Sequence, residues 1–321
     1  MIAERFQSAV EDFYYSIYRC GFCETQFAAG NETSKEIYEA LYSSKTYGEY
    51  SRYASEIKSS PDPLKYLSEQ EITYVRIYNY INRNMQRLLS SKILEVGSGL
   101  GYLTYALNVA GLNATGIDIS EEAVKKAKQE FGEHYIYSNI ENLSTDQTFD
   151  VIIAAELIEH VMEPLKFIEA ALKILSDDGE LLITTPNYSI KSQIWRTELP
   201  PVHMFWFSRR SFEVLAKIMN VNCSFIMPEK GSKIENYLVT IMSVLFWNGR
   251  KSKPYLSGDL KIKAILKKSP KSATLKNLVR MLNFRPVRDI VNRFFYPFAV
   301  NIDSPLCVVL KKSKKSQCNK I

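Results

Sequence analysis

Between residues 92 and 187 the apolar positions fall in short continuous runs separated by stretches of helical spacing. KILEVG (92–97), NATGID (113–118), HYIYSN (134–139), FDVIIAAE (149–156) and GELLITTPN (179–187) read as strands. The run at 149–156 is apolar throughout, as expected of a central strand covered on both faces. Helices are predicted over YLTYALNVAG, over 120–131, where Ser120 caps and glutamates occupy the first turn, and over 163–175. A further helix over 208–220 and strands over 222–228 and 305–312 complete the pattern. Strands alternating with helices predict an α/β fold, a doubly wound and mostly parallel seven-stranded sheet.

The flanking segments differ. Residues 1–88, rich in Tyr and Ser, read as helical and suited to form a lid over the sheet's ligand edge. Their last part, 68–89, repeats apolar residues at helical spacing, and Ser68 with Glu71 predicts a capping box at its start. Residues 229–303 carry the apolar block NYLVTIMSVLFW (236–247), then Arg250, Lys251 and Lys253, and a second apolar stretch from Val291 to Ala299. The chain therefore divides into a helical lid (1–88), a ligand-binding core (89–228), a basic helical insertion (229–303), and a final strand with a basic tail (304–321).

Charge sharpens that division. The 321 residues sum to +6, yet residues 229–321 hold 20 Lys and Arg against 5 Asp and Glu. The body is acidic and the last third strongly basic, which points to an anionic partner or surface. The blocks 236–247 and 291–299, with Trp247 and Phe294, Phe295 and Tyr296 beside basic residues, suit peripheral contact with an anionic membrane. Interleaved aromatics and cations also suit nucleic acid, although no RNA-binding module is recognisable; a buried helix with a solvated lysine face is the third reading. Neither an apolar run of membrane-spanning length nor a secretory leader is apparent, so a cytoplasmic location, peripheral at the membrane, is expected.

Five cysteines at irregular spacing argue against a disulfide framework. Cys20 and Cys23 form one C-x-x-C pair, half of what a structural zinc needs, and read as two thiols in a turn. Of three histidines, His134 opens a strand and is expected to be structural, leaving His160 and His203 for chemistry.

The first strand of the core delivers Glu95-Val96-Gly97-Ser98-Gly99-Leu100-Gly101. Glycines let backbone approach a ligand and offer N–H groups at a helix start. Asp118 ends the second strand, where a carboxylate can take both hydroxyls of a ribose. The spacing is G-x-G-x-G, which departs from the dinucleotide fingerprint of a NAD-binding Rossmann domain. ILEVGSGLG, TGIDIS, FDVIIAAELIEHV and GELLITTPN, in that order over residues 90–228, resemble the class I S-adenosylmethionine-dependent methyltransferases. The resemblance implies a Rossmann-like methyltransferase fold and S-adenosyl-L-methionine as cofactor. By it, Glu95, Gly97, Ser98, Gly99 and Gly101 hold the methionine part, Asp118 beside Ile119 the ribose, Asn139 and Ile140 the adenine, and Ala155 and Glu156 the sulfonium.

Methyl transfer to a hydroxyl needs alignment and removal of a proton. Glu156, Glu159 and His160 follow the fourth strand and His203 follows the fifth, both at the cofactor edge. A helical turn would bring Glu156 to one side with Glu159 or His160. Glu-x-x-Glu-His with a later His resembles the small-RNA 3′-terminal ribose 2′-O-methyltransferases, and Glu-x-x-Glu-His-Val resembles the ubiquinone-pathway O-methyltransferases. That resemblance makes Glu156, Glu159, His160 and His203 candidate ligands of a divalent cation such as Mg. The metal-free alternative, shared with sugar and small-molecule methyltransferases, has His160 or His203 as base and Glu159 orienting it. YRCGFCETQFA is also similar to the entry of methyltransferases that begin with a zinc ribbon, although those carry two cysteine pairs. The expected reaction is O-methylation of a small-molecule, glycan or lipid-linked acceptor. An RNA ribose methyltransferase and a non-catalytic partner retaining the cofactor fold are the alternatives.

Overall fold

The computed structural model describes residues 3–7, 14–29, 48–143, 147–188, 199–226 and 305–313. The basic insertion 229–303, with both of its apolar blocks, lies outside them, as does Cys318.

The core strands are β4 (Lys92–Val96), β5 (Asn113–Asp118), β6 (Tyr135–Tyr137), β7 (Phe149–Ala155), β8 (Leu175–Thr185), β10 (Val221–Phe225) and β11 (Leu306–Lys312). They form one seven-stranded sheet in the order β10-β11-β8-β7-β4-β5-β6. β6, β5, β4, β7 and β8 run parallel, while β11 is antiparallel to both β8 and β10. Six strands thus share one direction. The apolar runs are continuous because both faces are covered. Ile93, Val151, Ile153 and Leu182 point into one core, and Leu94, Ile152, Ala154 and Leu181 into the other.

The first core is closed by α1 (Gly48–Ser59), α2 (Pro63–Gln70), α3 (Ile72–Leu88) and α4 (Tyr102–Val109), through Ile57, Leu67, Ile77, Ile81 and Leu103. The second is closed by α6 (Pro164–Ile174) and α7 (Arg209–Met219), through Phe167, Ile168, Phe212 and Leu215. α5 (Glu121–Phe131) starts as the sequence predicts, with the Ser120 hydroxyl accepting from the Ala123 N–H at 3.2 Å. α3 is fixed to the sheet by Glu180 of β8. Its carboxylate accepts from Tyr80 and from Arg87 (2.5 Å) and pairs with Lys311 of β11.

Two expectations fail. The N-terminal region is not wholly helical. β1 (Ala3–Gln7), β2 (Tyr14–Arg19) and β3 (Gln26–Ala29) join β9 (Phe205–Trp206) in a second, antiparallel sheet of order β1-β2-β3-β9. The reason is a period of two in β2: Tyr15 and Ile17 are buried while Tyr14 and Ser16 are exposed. Together with Ala28, Met204 and Trp206 they form a small separate core. The predicted helix over 68–89 is also broken. Glu71 is extended (φ −133°, ψ 138°) and makes no side-chain cap, and the Ser68 hydroxyl donates back to the Lys65 carbonyl at 2.6 Å. The capping pair proves to be Asp62, which accepts from the Lys65 N–H at 2.9 Å, with Pro63 opening α2.

Candidate active site

β4 lies between β5 and β7, so the loop leaving its carboxyl end opens where the strand order reverses, the usual place for a ligand in such a sheet. Gly97, Gly99 and Gly101 all have positive φ (74°, 51° and 86°). At Gly101 a Cβ would come within 2.7 Å of the Tyr135 ring, so this position must stay bare.

The loop's hydrogen bonding departs from expectation. The N–H groups of Gly97 and Ser98 both donate to the Ile117 carbonyl, at 2.8 and 3.0 Å, and that of Gly101 to the Ser98 carbonyl at 2.8 Å. The Gly99 N–H donates to Asp118 Oδ2 at 2.7 Å. Three of these amides hold the loop to β5 and the fourth closes the loop on itself, so none of the four is offered outward. Ser98 also turns inward, its Oγ lying 2.9 Å from where a Gly116 Cβ would be. The loop's contribution is therefore a low backbone ridge over which a ligand can pass closely.

Glu95 was expected against the methionine part. Its carboxylate is instead buried (4% exposed) and accepts from the Thr104 N–H at 2.8 Å and hydroxyl at 2.5 Å, fixing the start of α4. Burial pushes its carboxyl up to about 8; the Thr104 bonds oppose this and nearby Asp118 adds to it. Asp118 stands at the mouth of the loop, also raised by burial. It accepts from Gly99 and, through Oδ1, from the Ser120 N–H at 2.8 Å. The Ile119 N–H also faces this carboxylate, which has about four acceptor sites, so one remains for a ribose hydroxyl. Ile119 beside it is 58% exposed, an apolar surface at the open edge.

The expected adenine contacts divide. Asn139 uses its Oδ1 within its own turn, accepting from the Asn142 N–H at 2.8 Å. Ile140 is 4% exposed and packs into the core with Leu94 and Ile117, so its side chain does not line the edge.

β7 ends at Ala155, and Glu156 then takes a left-handed conformation (φ 49°), a costly one for a non-glycine residue. Its N–H donates to the carbonyl (3.0 Å) and hydroxyl (3.1 Å) of Thr184. Burial pushes its carboxyl up to about 7, partly opposed by Thr184 and by Thr73 of α3, with the Glu71 carboxylate adding to the rise. Glu156 Oε1 is buried with no hydrogen bond. A carboxylate in that condition fits a cationic ligand group, and the positive charges of S-adenosylmethionine match it. Arg76, 4% exposed, lies one turn beyond Thr73 on α3.

The kink at Glu156 has a second effect. A short 3₁₀ turn, Ile158–His160, follows it, and the cluster there comprises Glu159, His160 and His203, whose ligand atoms lie within 4.8 Å of one another. Glu156 does not join them, because the left-handed residue breaks the helical turn that the i, i+3 spacing assumed. Glu159 Oε2 accepts from the Thr185 hydroxyl at 2.9 Å, and its carbonyl accepts from the Met204 N–H at 2.9 Å, joining the two segments. The imidazoles of His160 and His203 meet edge to face with centroids 4.4 Å apart. His160 Nδ1 lies 2.5 Å from the Val202 carbonyl. A carbonyl can only accept, so Nδ1 carries the proton and Nε2, 4.0 Å from Glu159 Oε1, holds a lone pair. Burial lowers the pKa of His160, and burial with the neighbouring imidazole lowers that of His203 well below the ordinary range.

Residues 70–223 match the family model described as a methyltransferase domain. The chain is 36% identical over 126 residues to the ubiquinone biosynthesis O-methyltransferase of Haemophilus ducreyi, covering 36% of this chain and 53% of that protein. To its counterpart in Idiomarina loihiensis it is 33% identical over 129 residues, covering 38% and 53%. The chain thus spans about half the length of the curated relatives it matches. A S-adenosylmethionine-dependent methyltransferase structure from Archaeoglobus fulgidus is 15% identical, with 74% of this chain and 93% of that one covered, at a TM-score of 0.43. Sheet order, glycine loop and acidic strand end define a Rossmann-like methyltransferase fold. Residues 70–223 therefore carry a methyltransferase domain of the class I S-adenosylmethionine-dependent type.

Proposed function

We propose that the protein transfers the methyl group of S-adenosylmethionine to a hydroxyl oxygen of a small-molecule, glycan or lipid-linked acceptor. The observation that carries this reading is the placement of His160: a half-buried imidazole whose Nδ1 lies 2.5 Å from the Val202 carbonyl, which leaves Nε2 at the cofactor edge. The cofactor supplies an activated methyl on a positively charged sulfur. Glu156 meets that positive charge, Asp118 takes the ribose, and Ile119 covers the adenine end. His160 Nε2 receives the acceptor's proton, and the imidazolium so formed is stabilised by the Glu159 carboxylate, which Thr185 holds in place. O-methyltransferases among the relatives support an oxygen acceptor.

A specific geometry favours a second reading. Two imidazoles and one carboxylate within 4.8 Å form a donor set for a divalent ion, which would lower the pKa of a bound hydroxyl. Nitrogen-rich donors suit zinc, manganese or iron better than magnesium.

An acceptor screen with labelled cofactor, repeated with chelator, tests both readings. His160→Ala is expected to lower the transfer rate about 10²–10⁴-fold while leaving S-adenosylhomocysteine affinity within about twofold. Because the His160 pKa is lowered, the wild-type rate at saturating cofactor should be flat through neutral pH and fall only below the ordinary imidazole range, as Nε2 takes a proton. Chelator-sensitive turnover would favour the ion. Failure to bind S-adenosylhomocysteine at high micromolar concentration would defeat both readings.

A further inference from the structure

The turn joining β2 to β3 places Cys20 and Cys23 at the surface end of the small sheet. It is closed by the Cys20 N–H donating to the Thr25 carbonyl (2.9 Å) and the Glu24 N–H to the Cys20 carbonyl (3.0 Å), with Glu24 left-handed (φ 64°). Both thiols are half-exposed. The Cys23 thiol donates to the Thr25 hydroxyl at 3.2 Å. The nearby N–H groups of Cys23 and Phe22, and then the Cys23 side chain, lower the Cys20 pKa, so Cys20 ionises more readily than an ordinary thiol. The other described thiols are unlike these: Cys307 is buried, and burial with the nearby Glu213 carboxylate pushes Cys223 up to about 11.

The turn is also clamped to the active site. The Cys23 carbonyl accepts from Ser211 Oγ (3.2 Å) and the Phe22 carbonyl from Arg210 Nε (3.4 Å), both in the first turn of α7. β3 pairs with β9 (Gln26 opposite Trp206, Phe27 opposite Phe205), and the Ala28 N–H donates to the carbonyl of Met204, the residue after His203.

We infer that Cys20 and Cys23 are a reactive dithiol that closes to an intramolecular disulfide on exchange with a low-molecular-weight disulfide, and that the closure is transmitted to His203 through β3 and β9. The Cys20 thiolate attacks one sulfur of the disulfide, forming a mixed disulfide and releasing one thiolate. Cys23, its proton passing to water, attacks the Cys20 sulfur, forming the Cys20–Cys23 bond and releasing the second thiolate. Two electrons pass from the protein thiols to the external disulfide, which leaves as two thiols. The chemistry of the pair is independent of methyl transfer; only an effect on the transfer rate rests on the proposed function.

The full-length chain, reduced and then exposed to oxidised glutathione, tests this by alkylation and peptide mass spectrometry. Cys20 is expected to alkylate at neutral pH at least about tenfold faster than Cys223. Oxidised glutathione should give a linked Cys20–Cys23 peptide, reversed by dithiothreitol. Cys23→Ser should stop at a glutathione adduct on Cys20. In isotopically labelled protein without acceptor, the His203 ring signals should shift on oxidation of wild type and stay fixed in Cys20→Ser. Equal alkylation of Cys20 and Cys223, no linked peptide, or a tightly held metal that blocks oxidation would overturn the dithiol. A linked pair with unmoved His203 signals would overturn the coupling, whatever the methyl-transfer assay gives.

Discussion

Glu156 shows how one residue's backbone can decide what a motif does. The spacing Glu-x-x-Glu-His suggests three ligands on one helical side, but a positive φ at Glu156 directs its carboxyl to Thr73 and Thr184 and leaves Glu159, His160 and His203 as the group of donor atoms that come together. No sequence signal announces a left-handed glutamate. A carboxyl raised to about 7 is anionic only above that pH, so binding of the cationic cofactor is expected to tighten as pH rises through about 7. Calorimetry with S-adenosylmethionine at several pH values checks this, and Glu156→Gln should flatten the dependence. Gly101 is the opposite case, a conformation announced by its residue type. Gly101→Ala puts a Cβ at φ 86° against Tyr135, and a stability loss of about 1–3 kcal/mol in urea unfolding is expected.

At the scale of elements, legibility follows the environment of each segment. β4, β5, β7 and β8 could be read because burial on both faces leaves unbroken apolar runs. β2 could not: its alternation of Tyr15 and Ile17 with Tyr14 and Ser16 is written in tyrosines, which serve buried and exposed positions alike. The break at Glu71 is equally silent, since apolar residues continue at helical spacing across it. Ile140, expected at the adenine, shows the limit of carrying over a motif, because core packing with Leu94 and Ile117 claims the side chain. The attachment of α3 can be tested directly. Burial alone would raise the Glu180 carboxyl, but Lys311, Tyr80 and Arg87 bring it below the ordinary value. Such a group contributes stability that is complete above the unfolded value of about 4.3 and fades as pH falls through the folded one. Glu180→Gln should therefore cost about 1–2 kcal/mol at neutral pH, both cations being half-exposed, and the difference from wild type should shrink in acid. Urea midpoints at the two pH values measure it.

The whole molecule joins an acidic catalytic body to a strongly basic segment, and the topology shows where the two meet. β10 runs with β8, so Phe225 ends at the same edge of the sheet as the glycine loop. β11 begins at that edge too: Leu306 is paired with Thr185, the residue whose hydroxyl holds Glu159. The segment between β10 and β11 therefore departs from and returns to the rim of the active site. Replacing residues 229–303 by a short linker is expected to leave S-adenosylhomocysteine affinity within about twofold while lowering turnover of an anionic or lipid-linked acceptor, its KM rising more than its kcat falls. Labelled-cofactor assays on both forms, at two salt concentrations, measure that difference.

The antiparallel pairing of β11 has a further consequence. A segment anchored at both ends beside the methyl-transfer centre need not bind its acceptor tightly. An acceptor gripped there through charge would be confined within a loop's reach of His160, and its encounter with that side chain would become an intramolecular one. Weak, salt-sensitive capture can then coexist with efficient transfer, and local concentration at the rim can replace affinity in the pocket.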